Sequence, residues 1–101
     1  MYVEMFQIEK IVIDGASFIG LKAELEDLPP LLLIKGEKGF VMCGYLSIEV
    51  AEKLGAVAAI VSGVKSFEDV LNAEIKVATT KAKTLGLEPG KVVRTVIGAL
   101  N

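Results

Sequence analysis

Gly39-Phe40-Val41-Met42-Cys43-Gly44-Tyr45-Leu46-Ser47 is the stretch on which the fold turns. Phe40 to Cys43 is a short apolar run entered from a polar, glycine-rich turn, and it reads as a buried strand. After Cys43-Gly44 the pattern becomes helical. Ser47 suits an N-cap, Val50, Ala51 and Leu54 share one helical face, and Glu49 and Lys53 are spaced for an i,i+4 pair outside. Gly55 is a natural stop. A strand that ends at the only cysteine and leads into a helix is the start of a crossover to a parallel neighbour.

Upstream, the pattern is antiparallel. Tyr2 to Ile13 is strand-like, with Phe6, Ile8 and Val12 on one parity and Ile11 and Ile13 on the other, and Asp14-Gly15 is a hairpin signal. Ile19, Leu21, Ala23 and Leu25 then alternate with Lys22, Glu24 and Glu26, which predicts a strand with one wet face. Pro29-Pro30 is expected to interrupt the ladder and force an extended turn. Leu31 to Ile34 reads as a strand buried on both faces, and Gly36-Glu37-Lys38-Gly39 returns the chain into Phe40.

Downstream, Ala56 to Val61 is a second buried strand, ending at Ser62-Gly63. Ser66 with Asp69 resembles a capping box ahead of an apolar face of Phe67, Val70 and Leu71. Glu74 to Ala78 is a further short strand, and Thr80 caps a helix through Leu85 that Gly86 closes. Val92, Val93, Val96, Ile97 and Leu100 fit a helical period, although valine favours strands. These parts assemble as an α+β, two-layer domain: a mixed antiparallel and parallel sheet with helices packed mainly on one face. Residues 1–101 form a single domain.

Composition narrows function mostly by exclusion. Histidine is absent, which removes Ser-His and Cys-His nucleophile pairs and every histidine-containing zinc site. A single cysteine removes an internal disulfide, thiolate-rich metal sites and Cys-X-X-Cys redox chemistry, and fits a reducing cytoplasm. No calcium-loop pattern occurs among the 13 acidic residues, so no metal and no cofactor is expected. Glu24, Glu26 and Asp27 are the densest acidic group and read as a solvated face.

The net charge of −2, with lysine and arginine scattered singly, gives no basic face for nucleic acid. No uncharged run approaches the roughly 20 residues of a membrane helix, and the N-terminus lacks signal-peptide character; a cytoplasmic protein is expected. Hydrophobic residues make up 52% of the chain, with a mean hydropathy of +0.56. That is high for so small a globule, and it predicts a homo-oligomer. Gln7, Asn72 and Asn101 are the only amide side chains, a scarcity that would suit a thermophile.

Two stretches carry candidate chemistry. Cys43 and Gly44 end the first buried strand: a thiol just before a helix would feel positive backbone charge, and glycine would admit a ligand close to the backbone. Cys43 also reads as a small buried hydrophobe, since free cysteine is among the most buried residue types. Ser62-Gly63-Val64-Lys65-Ser66 combines a glycine, a lysine and hydroxyls between a strand and a helix, the ingredients of an anion site. It lacks P-loop spacing, and an ordinary capped loop accounts for it as well. If the two strands are parallel neighbours, both stretches reach the same carboxyl edge, where open α/β sheets bind ligands. The candidate ligand-binding set is therefore Cys43, Gly44, Ser62, Gly63, Lys65 and Ser66.

Pro-Leu-Leu-Leu-Ile, Lys-Gly-Phe-Val-Met-Cys-Gly-Tyr-Leu and Ser-Gly-Val-Lys-Ser-Phe-Glu-Asp-Val-Leu together resemble the YunC-like family, small archaeal and bacterial domains of unknown function. The resemblance runs from about Gly20 to Leu100, and its motifs fall on Phe40 to Leu46 and Ser62 to Leu71. It implies an α+β two-layer domain and a helical C-terminal stretch, and it brings no activity, substrate or catalytic residue. Three functions fit: a domain binding a small anionic ligand near Cys43 and Lys65, a homo-oligomeric accessory protein without catalysis, and a histidine-free thiol enzyme using Lys65 as base.

Overall fold

The computed structural model describes residues 6–101. Six strands form one sheet in the order β1-β2-β3-β4-β5-β6: Phe6–Ile13, Ala16–Leu25, Leu28–Lys35, Phe40–Met42, Ala58–Ile60 and Val77–Ala78. All neighbours are antiparallel except β4 and β5, which are parallel and joined through α1, Ile48–Lys53. The chain continues through α2 (Phe67–Asn72), α3 (Thr80–Thr84), α4 (Val93–Val96) and a 3₁₀ turn, Ile97–Leu100. The protein is an α+β fold with a mixed sheet. Only β4–α1–β5 is a parallel crossover; β6 returns antiparallel to β5 after α2. Residues 2–5 of the first predicted strand lie outside the described residues.

The core occupies one face of the sheet. Phe18, Leu32, Ile34, Val41, Ala59 and Val61 pack there against Val70, Leu71, Ala82, Val93, Ile97 and Leu100. The C-terminal stretch joins this core as helix, settling its competing propensities by burial of Val93, Ile97 and Leu100.

The face assignment of β2 differs from the expectation. Phe18, Gly20 and Lys22 share the core side, whereas Ile19 is 48% exposed. Alternation of apolar residues identified the strand but not which side the helices cover. Gly20 is part of the answer: a Cβ there would lie 2.7 Å from Ile11 Cδ1 and 2.8 Å from the Phe67 ring. Its bare backbone is the notch into which α2 seats Phe67. Lys22 stays partly buried and reaches Glu24 at 3.2 Å.

Pro29 and Pro30 also act differently from expectation: they lie inside β3. The ladder pairs Leu25 with Leu28 and Ala23 with Leu31, so the two prolines oppose Glu24 alone. This bulge accommodates residues that cannot donate to a ladder, and it lies on β3 beyond Leu33, the partner of Met42 at the end of β4. Tight turns finish the hairpins. Asp14 and Gly15 both take positive φ (51° and 84°), as does Asp27 (60°).

Candidate functional site

Cys43 directly follows β4, and Val61-Ser62 directly follows β5. Because those strands pair in parallel, Met42 opposite Ile60, the two stretches leave the sheet side by side at its carboxyl edge. The β3 bulge supplies the third wall. Together Pro29-Pro30, Cys43-Gly44-Tyr45 and Ser62-Gly63-Val64-Lys65 line a cleft of about 440 Å³. That is within the roughly 300–1,000 Å³ usual for small-molecule pockets.

Cys43 is a wall of this cleft and also a member of the core, 5% exposed. The Leu32 N–H donates to its Sγ at 3.4 Å, and the sulfur lies 3.9 Å from the Pro30 carbonyl oxygen. Gly44 to Ser47 separate the thiol from the first turn of α1, whose Val50 N–H is already capped by the Ser47 hydroxyl. The thiol is packed by β3 rather than held against a helix end.

Gly44 adopts no positive φ, and a Cβ placed on it would meet nothing within 4 Å. Gly63 has φ +71° and the same open surroundings. The chain's own packing thus leaves the backbone bare on both sides of the cleft. Among the described residues, no intramolecular hydrogen bond occupies the N–H groups of Gly44, Tyr45, Ser62, Gly63 or Val64. They are donors with capacity to spare.

Lys65 is exposed and lines the cleft, and among the described residues it is the only charged one that does so. Its backbone N–H donates to the Asp69 carboxylate at 3.0 Å, while the Asp69 N–H donates to Ser66 Oγ at 3.1 Å. The Ser66 half of the capping box read from the sequence is thus present, while the acidic side chain accepts from the Lys65 N–H, one residue before the cap. Ser66 is spent on that cap and lies outside the cleft lining, so of the six candidates it is the one the cleft does not include. The ion pairs among the described residues are Lys22–Glu24 and Glu68–Arg94; Lys65 is in neither.

Sequence reasoning missed Pro29, Pro30 and Tyr45 as parts of this site. The Tyr45 hydroxyl donates to the Pro29 carbonyl at 2.7 Å, tying the loop after β4 to the bulge in β3. The proline pair was the available signal, since a bulge exposes carbonyls that a regular ladder would use. Elsewhere, among the described residues, no three His, Cys, Asp or Glu side chains are grouped to hold a metal ion, and no helix is long and apolar enough to cross a membrane.

The family model described as "Domain of unknown function (DUF1805)" matches residues 42–100, and the chain belongs to that family. The match opens at the end of β4 and contains both loops of the cleft, with the proline bulge upstream of it. The chain is 29% identical over 90 residues to the uncharacterized protein YunC of Bacillus subtilis, covering 85% of this chain and 88% of that one. It is 43% identical to TA1206, a protein of unknown function from Thermoplasma acidophilum, whose crystal structure superposes with a TM-score of 0.91 over 96% of this chain and 94% of that one.

Proposed function

We propose that this domain binds a small anionic ligand in the cleft at the carboxyl edge of β4 and β5. The observation that carries the reading is convergence. Cys43-Gly44, Ser62-Gly63 and Lys65 come from two separate stretches and line one cavity of about 440 Å³. Bare glycine backbone on both sides, free N–H donors and a lone ammonium are what an anion needs at a mostly apolar surface. The burial of Cys43 supports a role as wall rather than as nucleophile.

Native mass spectrometry of the freshly purified protein tests this, with Lys65→Ala alongside. Retained adducts on the wild type that are lost from the variant support the reading. The same adduct-free mass for both proteins, with no thermal stabilisation by any of a panel of organic acids, would overturn it.

A second reading concerns assembly, and the uncovered side of the sheet favours it. Ile8, Val12 and Ile19 are 71%, 58% and 48% exposed, and with Phe6 they form an apolar surface on β1 and β2. A second copy of this chain is the occupant we infer for it. An accessory role through that surface is compatible with an occupied cleft.

A further inference from the structure

We infer that the ligand of this cleft is a singly charged organic acid with an apolar body, read by Lys65 at its carboxylate and by Tyr45 along its body. The inference rests on the anion-site reading above and narrows it. Two observations favour a monoanion over a phosphate ester, and a third favours an apolar body.

Charge is the first. Among the described residues Lys65 is the only cation of the lining, and it brings a compact point charge without the bidentate fork of an arginine. A carboxylate carries one negative charge that a single ammonium can balance. A phosphate monoester carries about −1.5 to −2 near neutral pH, so part of its charge would enter the cleft unpaired. The Asp69 carboxylate, held on the Lys65 N–H at 3.0 Å, adds negative potential to the same loop and opposes a second charge on the ligand.

The walls are the second. Pro29, Pro30, Cys43 and Val64 offer no side-chain charge and no strong side-chain donor, so most of the contact available to a ligand is apolar. An anion that filled this volume with hydroxyls and phosphate oxygens would turn many of them to these apolar walls, away from the backbone N–H donors, and lose hydration there.

Tyr45 is the third. Its residue is 46% exposed, yet its hydroxyl is fixed on Pro29 at 2.7 Å, which holds an aromatic ring as a strap across the cleft wall. Nothing in the core requires that ring: Tyr45 is not a member of the core cluster. An aromatic held by one hydrogen bond beside two prolines is suited to pack against an apolar ligand body.

Titrations with benzoate, benzamide, phenyl phosphate and acetate separate the parts, read by amide chemical shifts of Gly44, Tyr45 and Ser62 to Lys65. Benzoate is expected to bind at least about tenfold more tightly than benzamide, which lacks the charge, than acetate, which lacks the body, and than phenyl phosphate, which carries the second charge. In Lys65→Ala the preference for benzoate over benzamide should fall to about one. In Tyr45→Ala the preference for benzoate over acetate should collapse, whereas Tyr45→Phe, which keeps the ring, should retain it. Tighter binding of phenyl phosphate than benzoate would overturn the monoanion inference and leave the anion-site reading standing. An unchanged benzoate preference in Tyr45→Ala would remove the role given to Tyr45. Saturable shifts from none of the four probes would overturn both readings.

Discussion

Single residues decide more here than their exposure suggests. Gly36 is buried at the turn before β4, where a Cβ would lie 2.3 Å from the Leu100 carbonyl oxygen. That oxygen also accepts the Lys38 N–H at 2.8 Å, so the C-terminal 3₁₀ turn docks directly on the turn backbone. A backbone atom cannot rotate aside as a side chain can. Gly36→Ala is therefore expected to cost about 1–3 kcal/mol, as overpacking commonly does, read as a lower denaturation midpoint at unchanged slope. A midpoint equal to wild type would show that the C-terminal segment can move off the turn. Residue chemistry also explains what could be read of the site beforehand. Cys43, Gly44, Ser62, Gly63 and Lys65 were legible because a strand end followed by glycine is a local signal. Tyr45 and the two prolines were not, because their meeting depends on a bulge that pairs two residues against one.

At the scale of elements, the joints between short helices and the sheet are made by side-chain caps. Thr79, 1% exposed, accepts from the Ala82 N–H at 3.3 Å and from the Ala58 N–H at 3.2 Å, so one hydroxyl caps α3 and anchors it to β5. The sequence signal at Thr80 was one residue late, since either threonine satisfies a capping pattern and only burial tells them apart. Glu52 of α1 reaches across to the Thr80 N–H at 2.8 Å, and this hydrogen bond to the charged form holds its carboxyl below the ordinary glutamate value. A lowered folded value means stability that is present above the unfolded pKa and lost as pH falls through the folded one. The side-chain resonance of Glu52 should accordingly titrate at lower pH in the folded protein than in the denatured chain, and Glu52→Gln should remove that part of the acid dependence. A Glu52 midpoint at or above the denatured value would contradict the link between α1 and α3. The β2 error belongs to this scale too. Its alternation was plain, but which parity is dry depends on where α2 and the C-terminal helix settle, and Gly20 marks that side only once Phe67 is seen against it.

At the scale of the whole molecule, a sheet of six strands carries its contiguous core on one face and leaves apolar residues of β1 and β2 on the other. That distribution accounts for the high mean hydropathy, since among the described residues no helix is long and apolar enough to cross a membrane. If a second copy covers the surface, Ile8→Lys with Ile19→Lys should lower the sedimentation mass to that of one chain while amide shifts at the cleft stay in place. A single-chain mass for the wild type would dismiss the assembly reading. The proposed binding cleft lies at the opposite end of the sheet, where parallel pairing of β4 and β5 brings two loops and a proline bulge together. Binding there is tested most directly by an amide-shift titration of the wild-type protein with benzoate. Saturable shifts concentrated at Gly44, Tyr45 and Ser62 to Lys65, with binding at least about tenfold weaker in Lys65→Ala, are the predicted result. Shifts that do not saturate, or that fall on β1 and β2 instead of the cleft, would contradict it.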